Sequence, residues 1–322
     1  MPASTAQTCI KPKALQPGDT IAIVSPAAHT PPNADGSNPF EQAVALIETH
    51  GYRAKLMPNA QQAHLFLGGT DEQRLADLHA AFADDSIQAV FCARGGYGCT
   101  RLLNALDFDL IAKNPKILVG FSDITALLLP IYQKIGLVGF YAPMLTSNLI
   151  QGEPFSEAEL MRQVNGSLRA IGKETPFTIP NMDTYHCLSP GQAEGKLMGG
   201  NLSLLTALCG TPFQVNARDH ILFIEDWQEA YYALDRKFQQ LKMAGVFDGV
   251  KAVLLCDFSE IQAIPGVSLP EFLDWVTKPL GIPVGYGFSV GHGEQTATIP
   301  IGVKGQLNTN TGELRLLEAG VC

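Results

Sequence analysis

Four segments of this 322-residue chain carry side chains whose type and setting suit hydrolytic chemistry. Ser122 lies in GFSDIT, directly after an apolar run ending in Gly120 and directly before a helical pattern. A serine on such a sharp strand-to-helix turn projects its hydroxyl out of the sheet, and the backbone N–H of Asp123 then faces the same space as an oxyanion donor. Ser before Asp at a helix start is also ordinary capping chemistry, and the second glycine of a G-x-S-x-G turn is missing here. The loop ARGGYG, 93–98, also follows an apolar run. Its paired Gly95 and Gly96 let backbone N–H groups approach a ligand and would supply the second oxyanion donor; otherwise they make a tight turn. Glu225 ends the run ILFIE, where a carboxylate can orient a histidine. Asp226 is its immediate competitor, though better read as a helix-start acid. His292 sits between glycines in GHGEQTATIPIG, the setting of a general base that must reach another part of the chain.

Those residues need elements to hold them. The spacing predicts strands at 20–25, 87–93 and 116–120, alternating with helices at 40–50, 71–83 and 123–135, which implies a parallel sheet covered on both faces. Pro130 is expected to kink the third helix or mark its boundary. Residues 26–39 read as a loop. Ligands bind beyond the carboxyl ends of such strands, so the 93–98 loop and the Ser122 turn would share one crevice. The expected organisation is a domain over 1–155, a linker over 156–191 with local helix near 156–170, and a smaller mixed α/β domain over 192–322. The second domain should hold strands at 194–198, 221–224, 251–255 and 313–318 and helices at 201–209, 229–243 and 270–277.

Composition narrows the function. A net charge of −9 argues against binding a nucleic-acid backbone, which needs clustered Lys and Arg. No apolar run is long enough to span a bilayer, and the N-terminus has no uninterrupted apolar stretch of signal-peptide type. The expected compartment is therefore the cytoplasm, or the periplasm if a signal has been removed. Seven cysteines, an odd number with no C-x-x-C pair, read as buried free thiols. No clustered His, Asp, Glu or Cys set suggests a catalytic metal, and no cofactor is expected. The G-x-G-x-x-G fingerprint of a nucleotide-dependent oxidoreductase is absent.

The segments GDTIAIVSPA (18–27), ARGGYG (93–98), GFSDITALL (120–128), GKLMGGNLSLL (195–205), LFIEDWQEAYYALDRKFQQL (222–241) and GHGEQTATIPIG (291–302) stand in an order that resembles the LD-carboxypeptidases, serine peptidases that include the microcin C immunity proteins. The resemblance spans nearly the whole chain. It implies an α/β fold: an N-terminal Rossmann-like parallel-sheet domain and a C-terminal mixed α/β domain with a swivelling, barrel-like sheet, with the active site between them. It implies Ser122 as nucleophile, Glu225 and His292 as the other triad members, and an oxyanion hole of Asp123 N–H with Gly95 or Gly96. The implied activity is release of terminal D-Ala from a murein tetrapeptide at an L-D bond, a step of peptidoglycan recycling. A carboxypeptidase must also bind a terminal carboxylate, for which Arg94 and the Gly200-Asn201 turn are candidates. The EDWQEAYYALDR stretch looks like the murein enzymes, without the longer insert typical of the immunity proteins. The expected partner is a small peptide or muropeptide, with a homodimer left open. The alternatives are an immunity-type peptidase acting on peptidyl- or aminoacyl-nucleotides, and a non-catalytic two-domain ligand-binding protein.

Overall fold

The computed structural model describes residues 9–152, 154–165 and 185–322. In the first part, strands β1 (Thr20–Val24), β2 (Arg53–Leu56), β3 (Ala89–Cys92), β4 (Ile117–Gly120) and β5 (Phe140–Tyr141) alternate with helices α1 (Pro39–Thr49), α2 (Asp71–Ala83), α3 (Phe108–Lys113) and α4 (Thr125–Ile135). These five strands are parallel, in the order β5-β4-β3-β1-β2. Every residue of β3 and β4 is buried, as expected for a parallel sheet with helices on both faces. The order reverses direction at β1, so the loops leaving β1 and β3 diverge there and open a crevice at their carboxyl ends. Side-chain caps start the long helices: Asn38 accepts from Phe40 N–H before α1, and Thr70 with Gln73 forms a capping box at α2.

Helix α5 (Pro154–Val164) follows, and the remainder of the expected 156–170 helix lies outside the described residues. The second part holds β6 (His186–Ser189), β7 (Gln192–Asn201), α6 (Leu202–Ala207), β8 (His220–Trp227), α7 (Tyr231–Met243), β9 (Ala252–Ser259), α8 (Leu269–Thr277), β10 (Val284–Tyr286), β11 (Ile299–Pro300), β12 (Lys304–Asn308) and β13 (Glu313–Leu316). Seven of these strands make one mixed sheet, ordered β13-β12-β7-β8-β9-β10-β6. Only Pro190 and Gly191 join β6 to β7, yet three strands separate the two in the ladder. Two residues span well under 10 Å even when extended, roughly 3.3–3.6 Å each. The sheet must therefore curl on itself, which gives the second unit its barrel-like form.

Strand β11 crosses over to pair antiparallel with β5, so the first sheet has six strands, the last taken from the end of the chain. The expected helix 123–135 is split: a 3-10 turn covers Ser122–Ile124 and α4 runs on continuously through Pro130, which marks no boundary. Four cysteines depart from the buried expectation, since Cys187 and Cys322 are exposed and Cys9 and Cys209 half-buried; all seven thiols are free.

Candidate active site

The first sheet presents the serine. Ser122 follows β4 at φ 59°, a left-handed conformation that a non-glycine residue holds at a cost of about 1–3 kcal/mol when its surroundings enforce it. The enforcement is visible. Ser122 N–H donates to Tyr141 Oη at 3.2 Å, and the buried Asp123 carboxylate accepts Cys99 N–H at 2.8 Å, which ties the serine turn to the end of the 93–98 loop. Burial raises the Asp123 pKa, against the hydrogen bonds from Cys99. Gly95 lies directly against the serine: a Cβ there would sit 3.1 Å from Ser122 Cβ and 3.3 Å from its Oγ. The adjacent Gly96 has φ 106° and packs on Ala28.

The second sheet presents the other two groups. The β8–β9 ladder shifts register between Ile224 and Asp226, a bulge that places Cys256 and Asp257 of β9 opposite Glu225. Glu225 is completely buried. Its Oε2 lies 2.6 Å from His292 Nδ1, and His292 Nε2 lies 3.2 Å from Ser122 Oγ. The structure thus brings Ser122, His292 and Glu225 into one hydrogen-bonded run across the junction of the two sheets. Glu225 Oε1 accepts from Tyr141 Oη at 2.7 Å and from Asn201 Nδ2 at 3.0 Å. With Oε1 so occupied and Oε2 on the ring, the carboxylate is held in one orientation. Gly291, at φ 123°, leaves room for it, because a Cβ there would lie 2.6 Å from Oε2.

Asp226 takes a different part. It remains within β8 and pairs with Lys237 Nζ at 2.8 Å, while Lys237 also contacts Ser203 and Glu229. It is a buried ion-pair member, neither a helix-start acid nor a partner of His292. Two further placements revise the sequence expectation. Asn201 donates its amide to Glu225 and Asp226, and its Oδ1 accepts Leu204 N–H at the start of α6. Gly200 is packed against Thr125 and Tyr141. Both are buried behind the carboxylate, with Asn201's amide fully occupied, so neither is positioned as a subsite for a substrate carboxylate. Arg94 is half-buried, with Nη1 donating to His29 O at 3.4 Å.

Four residues close to the run make contacts that no motif announces. Tyr141, on a two-residue strand, links Ser122 to Glu225. Trp227 stacks on the His292 ring, centroids 5.4 Å apart and planes at 7°, while Phe121 packs at 4.9 Å. Asp257 accepts Gly293 N–H at 3.2 Å from the histidine loop. Tyr141 and Phe121 reach the run across the junction and Asp257 through the bulge, so no local pattern could have flagged them.

The electrostatics favour a basic imidazole. Burial opposes the imidazolium, but the Glu225 hydrogen bond and the Glu225, Asp226 and Asp257 charges outweigh it, and the His292 pKa is raised. Asp257 is pushed up to about 7, by burial first and then by Glu225, against its Gly293 hydrogen bond and the His292 charge. Such an arrangement can take a proton from Ser122 Oγ onto Nε2 while Glu225 holds the other nitrogen protonated. A base acts only when neutral, so the acid limb of kcat/KM is expected above the ordinary imidazole value of roughly 6.5. Asp257→Asn keeps an acceptor for Gly293 N–H but removes a charge that favours the imidazolium, and should move that limb to lower pH. Rate profiles of both proteins from about pH 5 to 9 check this, and an unmoved limb in the variant would separate Asp257 from the titration.

Among the described residues, no group of three His, Cys, Asp or Glu side chains is placed to hold a metal ion. No described helix is long and apolar enough to cross a membrane.

Residues 21–142 match the model of the LD-carboxypeptidase N-terminal domain, and residues 194–307 that of the LD-carboxypeptidase C-terminal domain. A probable murein peptide carboxypeptidase of Bacillus subtilis is 39% identical over 317 residues, covering 97% of this chain and 95% of that protein. The solved structure of a muramoyltetrapeptide carboxypeptidase from Oxalobacter formigenes is similar at TM-score 0.77 and 29% identity, covering 92% of this chain and 97% of its own. The structure of the microcin C7 self immunity protein MccF in complex with aspartyl sulfamoyl adenosine is similar at TM-score 0.86 and 27% identity, covering 97% of this chain and all of that one.

Proposed function

The chain belongs to the LD-carboxypeptidase family, and from that premise we propose that it is a serine carboxypeptidase releasing the terminal D-Ala of a murein tetrapeptide. The observation that carries the reading is the continuous run from Ser122 Oγ through His292 to the buried Glu225, at 3.2 and 2.6 Å. In the reaction, His292 Nε2 accepts the Ser122 proton as Oγ attacks the carbonyl before D-Ala. The N–H of Asp123 and one from Gly95 or Gly96 hold the oxyanion; what supports the pairing is the contact of Gly95 with the serine. The imidazolium returns its proton to the leaving amine, and water, deprotonated by the same ring, resolves the acyl-enzyme. With Gly200 packed on Thr125 and Tyr141 and the Asn201 amide taken up by Glu225 and Asp226, Arg94 is the remaining candidate for the terminal carboxylate.

The test is a panel of muropeptides read by mass: tripeptide, tetrapeptide, pentapeptide, tetrapeptide amidated at its end, and tetrapeptide ending in L-Ala. Burying a carboxylate costs several kcal/mol unless a cation or donors meet it, so the amide should leave that subsite unpaired. Only the free tetrapeptide ending in D-Ala is expected to lose alanine. Equal rates on the amidated and free tetrapeptides would mark a general amidase or endopeptidase. The likeness to MccF supports a second reading, a peptidase acting on aminoacyl-nucleotides. Aspartyl sulfamoyl adenosine in the same panel decides it: cleavage of that compound with the tetrapeptide left intact would reverse the order of the two readings.

A further inference from the structure

The far end of β8 from Glu225 opens into a concavity of about 840 Å³, lined by the second sheet, by the end of α4 and by the segment that leads into β8. At 3.2–3.4 Å per residue, the five residues from His220 to Glu225 put it roughly 16 Å along the strand from Glu225. Five cationic side chains line it: Lys134, Lys196, Arg218, Lys251 and Lys304. Only two carboxylates, Glu194 and Asp219, share the walls, Glu194 pairing with Lys304. This excess of positive charge stands in a chain whose net charge is −9.

The arrangement is a row, rather than a scatter of surface lysines. In the sheet, Lys304 lies directly opposite Lys196, and Lys196 directly opposite His220. Lys251 N–H then donates to His220 O at 2.9 Å, which carries the row to the start of β9. Lys304, Lys196 and His220 therefore stand in register across three adjacent strands, with Lys251 beside them just before the fourth, all lining the concavity. Like charges directly opposed on a sheet are destabilising. From the other wall, Tyr132 Oη of α4 reaches His220 Nε2 at 3.4 Å, while His220 Nδ1–H donates to Arg218 O at 2.7 Å. Burial lowers the His220 pKa first, and Lys196 and Lys251 also lower it, against the Arg218 carbonyl hydrogen bond and the Asp219 charge.

We propose that this concavity is a second binding site, for a compact polyanion of the kind a di- or triphosphate group presents on a small molecule. A multiply charged anion would meet several of the lining cations at once. Lysine ammoniums are point charges that meet phosphate oxygens without the planar match a carboxylate-reading arginine fork provides. The volume falls in the range of small-molecule sites, roughly 300–1,000 Å³.

Sodium triphosphate serves as the probe, titrated calorimetrically into the full chain at low ionic strength. The expected result is saturable binding of one anion per chain. In Arg218→Gln/Lys251→Gln, at exposed positions outside strands β8 and β9, the affinity should fall at least tenfold. Thermal unfolding run in parallel should show triphosphate raising the Tm of the parent well above the effect of sodium chloride at matched ionic strength, and doing so far less in the variant. Heat that never saturates, an affinity unchanged in the variant, or a Tm shift no larger than that of chloride would each overturn the site.

Discussion

Ser122→Ala is expected to leave a folded protein whose kcat is lower by about 10⁶, the scale on which members of a serine triad act as a unit. The side-chain oxygen makes one hydrogen bond, to His292 Nε2, so its loss removes no support from the core. The turn itself is held by the backbone N–H on Tyr141 and by the Asp123–Cys99 bond, both of which survive the substitution. Oxyanion donors and substrate binding also survive, and a residual rate of roughly 10³–10⁴ over water is expected from them. Single-turnover release of alanine from tetrapeptide, with a thermal melt of the same preparation, measures both halves of the statement. A folded variant turning over at near-native rate would remove Ser122 from the chemistry.

The second large effect is expected at Glu225, which is fully buried and receives three donors: His292 Nδ1–H, Tyr141 Oη–H and the Asn201 amide. Glu225→Gln is nearly isosteric, yet it replaces an acceptor by a donor. Turned one way, the new amide faces His292 and demands the tautomer whose Nδ1 is bare, leaving Nε2 protonated and useless as a base. Turned the other way, it opposes Tyr141 and Asn201. The expected loss in kcat is about 10⁴, with KM little changed. Tyr141→Phe offers a graded comparison. It removes a hydrogen bond to a charged group, about 1.5–3 kcal/mol, together with the acceptor of Ser122 N–H, and so should cost at least on the order of 10–100-fold. Steady-state kinetics on the two variants test the ranking. If Tyr141→Phe proved the more damaging, the phenol would have a part beyond holding the carboxylate and the serine turn.

These contrasts show what a linear sequence can reveal here. Ser122, the 95–96 glycines and His292 stand out because each is flanked by residues that punctuate backbone: a strand end, a glycine pair, glycines on both sides. Such signals are local. The parallel core strands are equally legible, since β3 and β4 are continuous apolar runs buried on both faces. What escapes is whatever depends on partners far along the chain. Strand β2 is an edge with exposed residues, and β5 and β11 have two residues each, too short for any period to show. Tyr141 is an ordinary buried aromatic until β8 is laid beside it. Asn201 looks like a helix cap at a glycine turn, and it is one; that its amide nitrogen also braces Glu225 and Asp226 follows only from the parallel register of β7 and β8. Asp257 becomes a neighbour of His292 through a bulge that no residue pattern announces.

The pairing of β11 with β5 bears on how the protein is made. Ile299 and Pro300 lie opposite Tyr141 and Phe140, so the edge of the first sheet is closed by residues synthesised about 160 positions later. At roughly 5–20 residues per second, a ribosome needs on the order of 8–30 s to cover that distance. Through that interval the nascent first sheet would present an uncapped strand, with Tyr141 not yet joined to Glu225 and with open backbone groups of the kind that recruit other chains. The end of the chain then returns to its beginning, Cys322 N–H donating to Pro12 O and Ala14 N–H to Cys322 O. The first half is thus a sheet that cannot finish folding by itself, and nascent chains stalled before residue 300 should be far more prone to aggregation and proteolysis than those extended through residue 322.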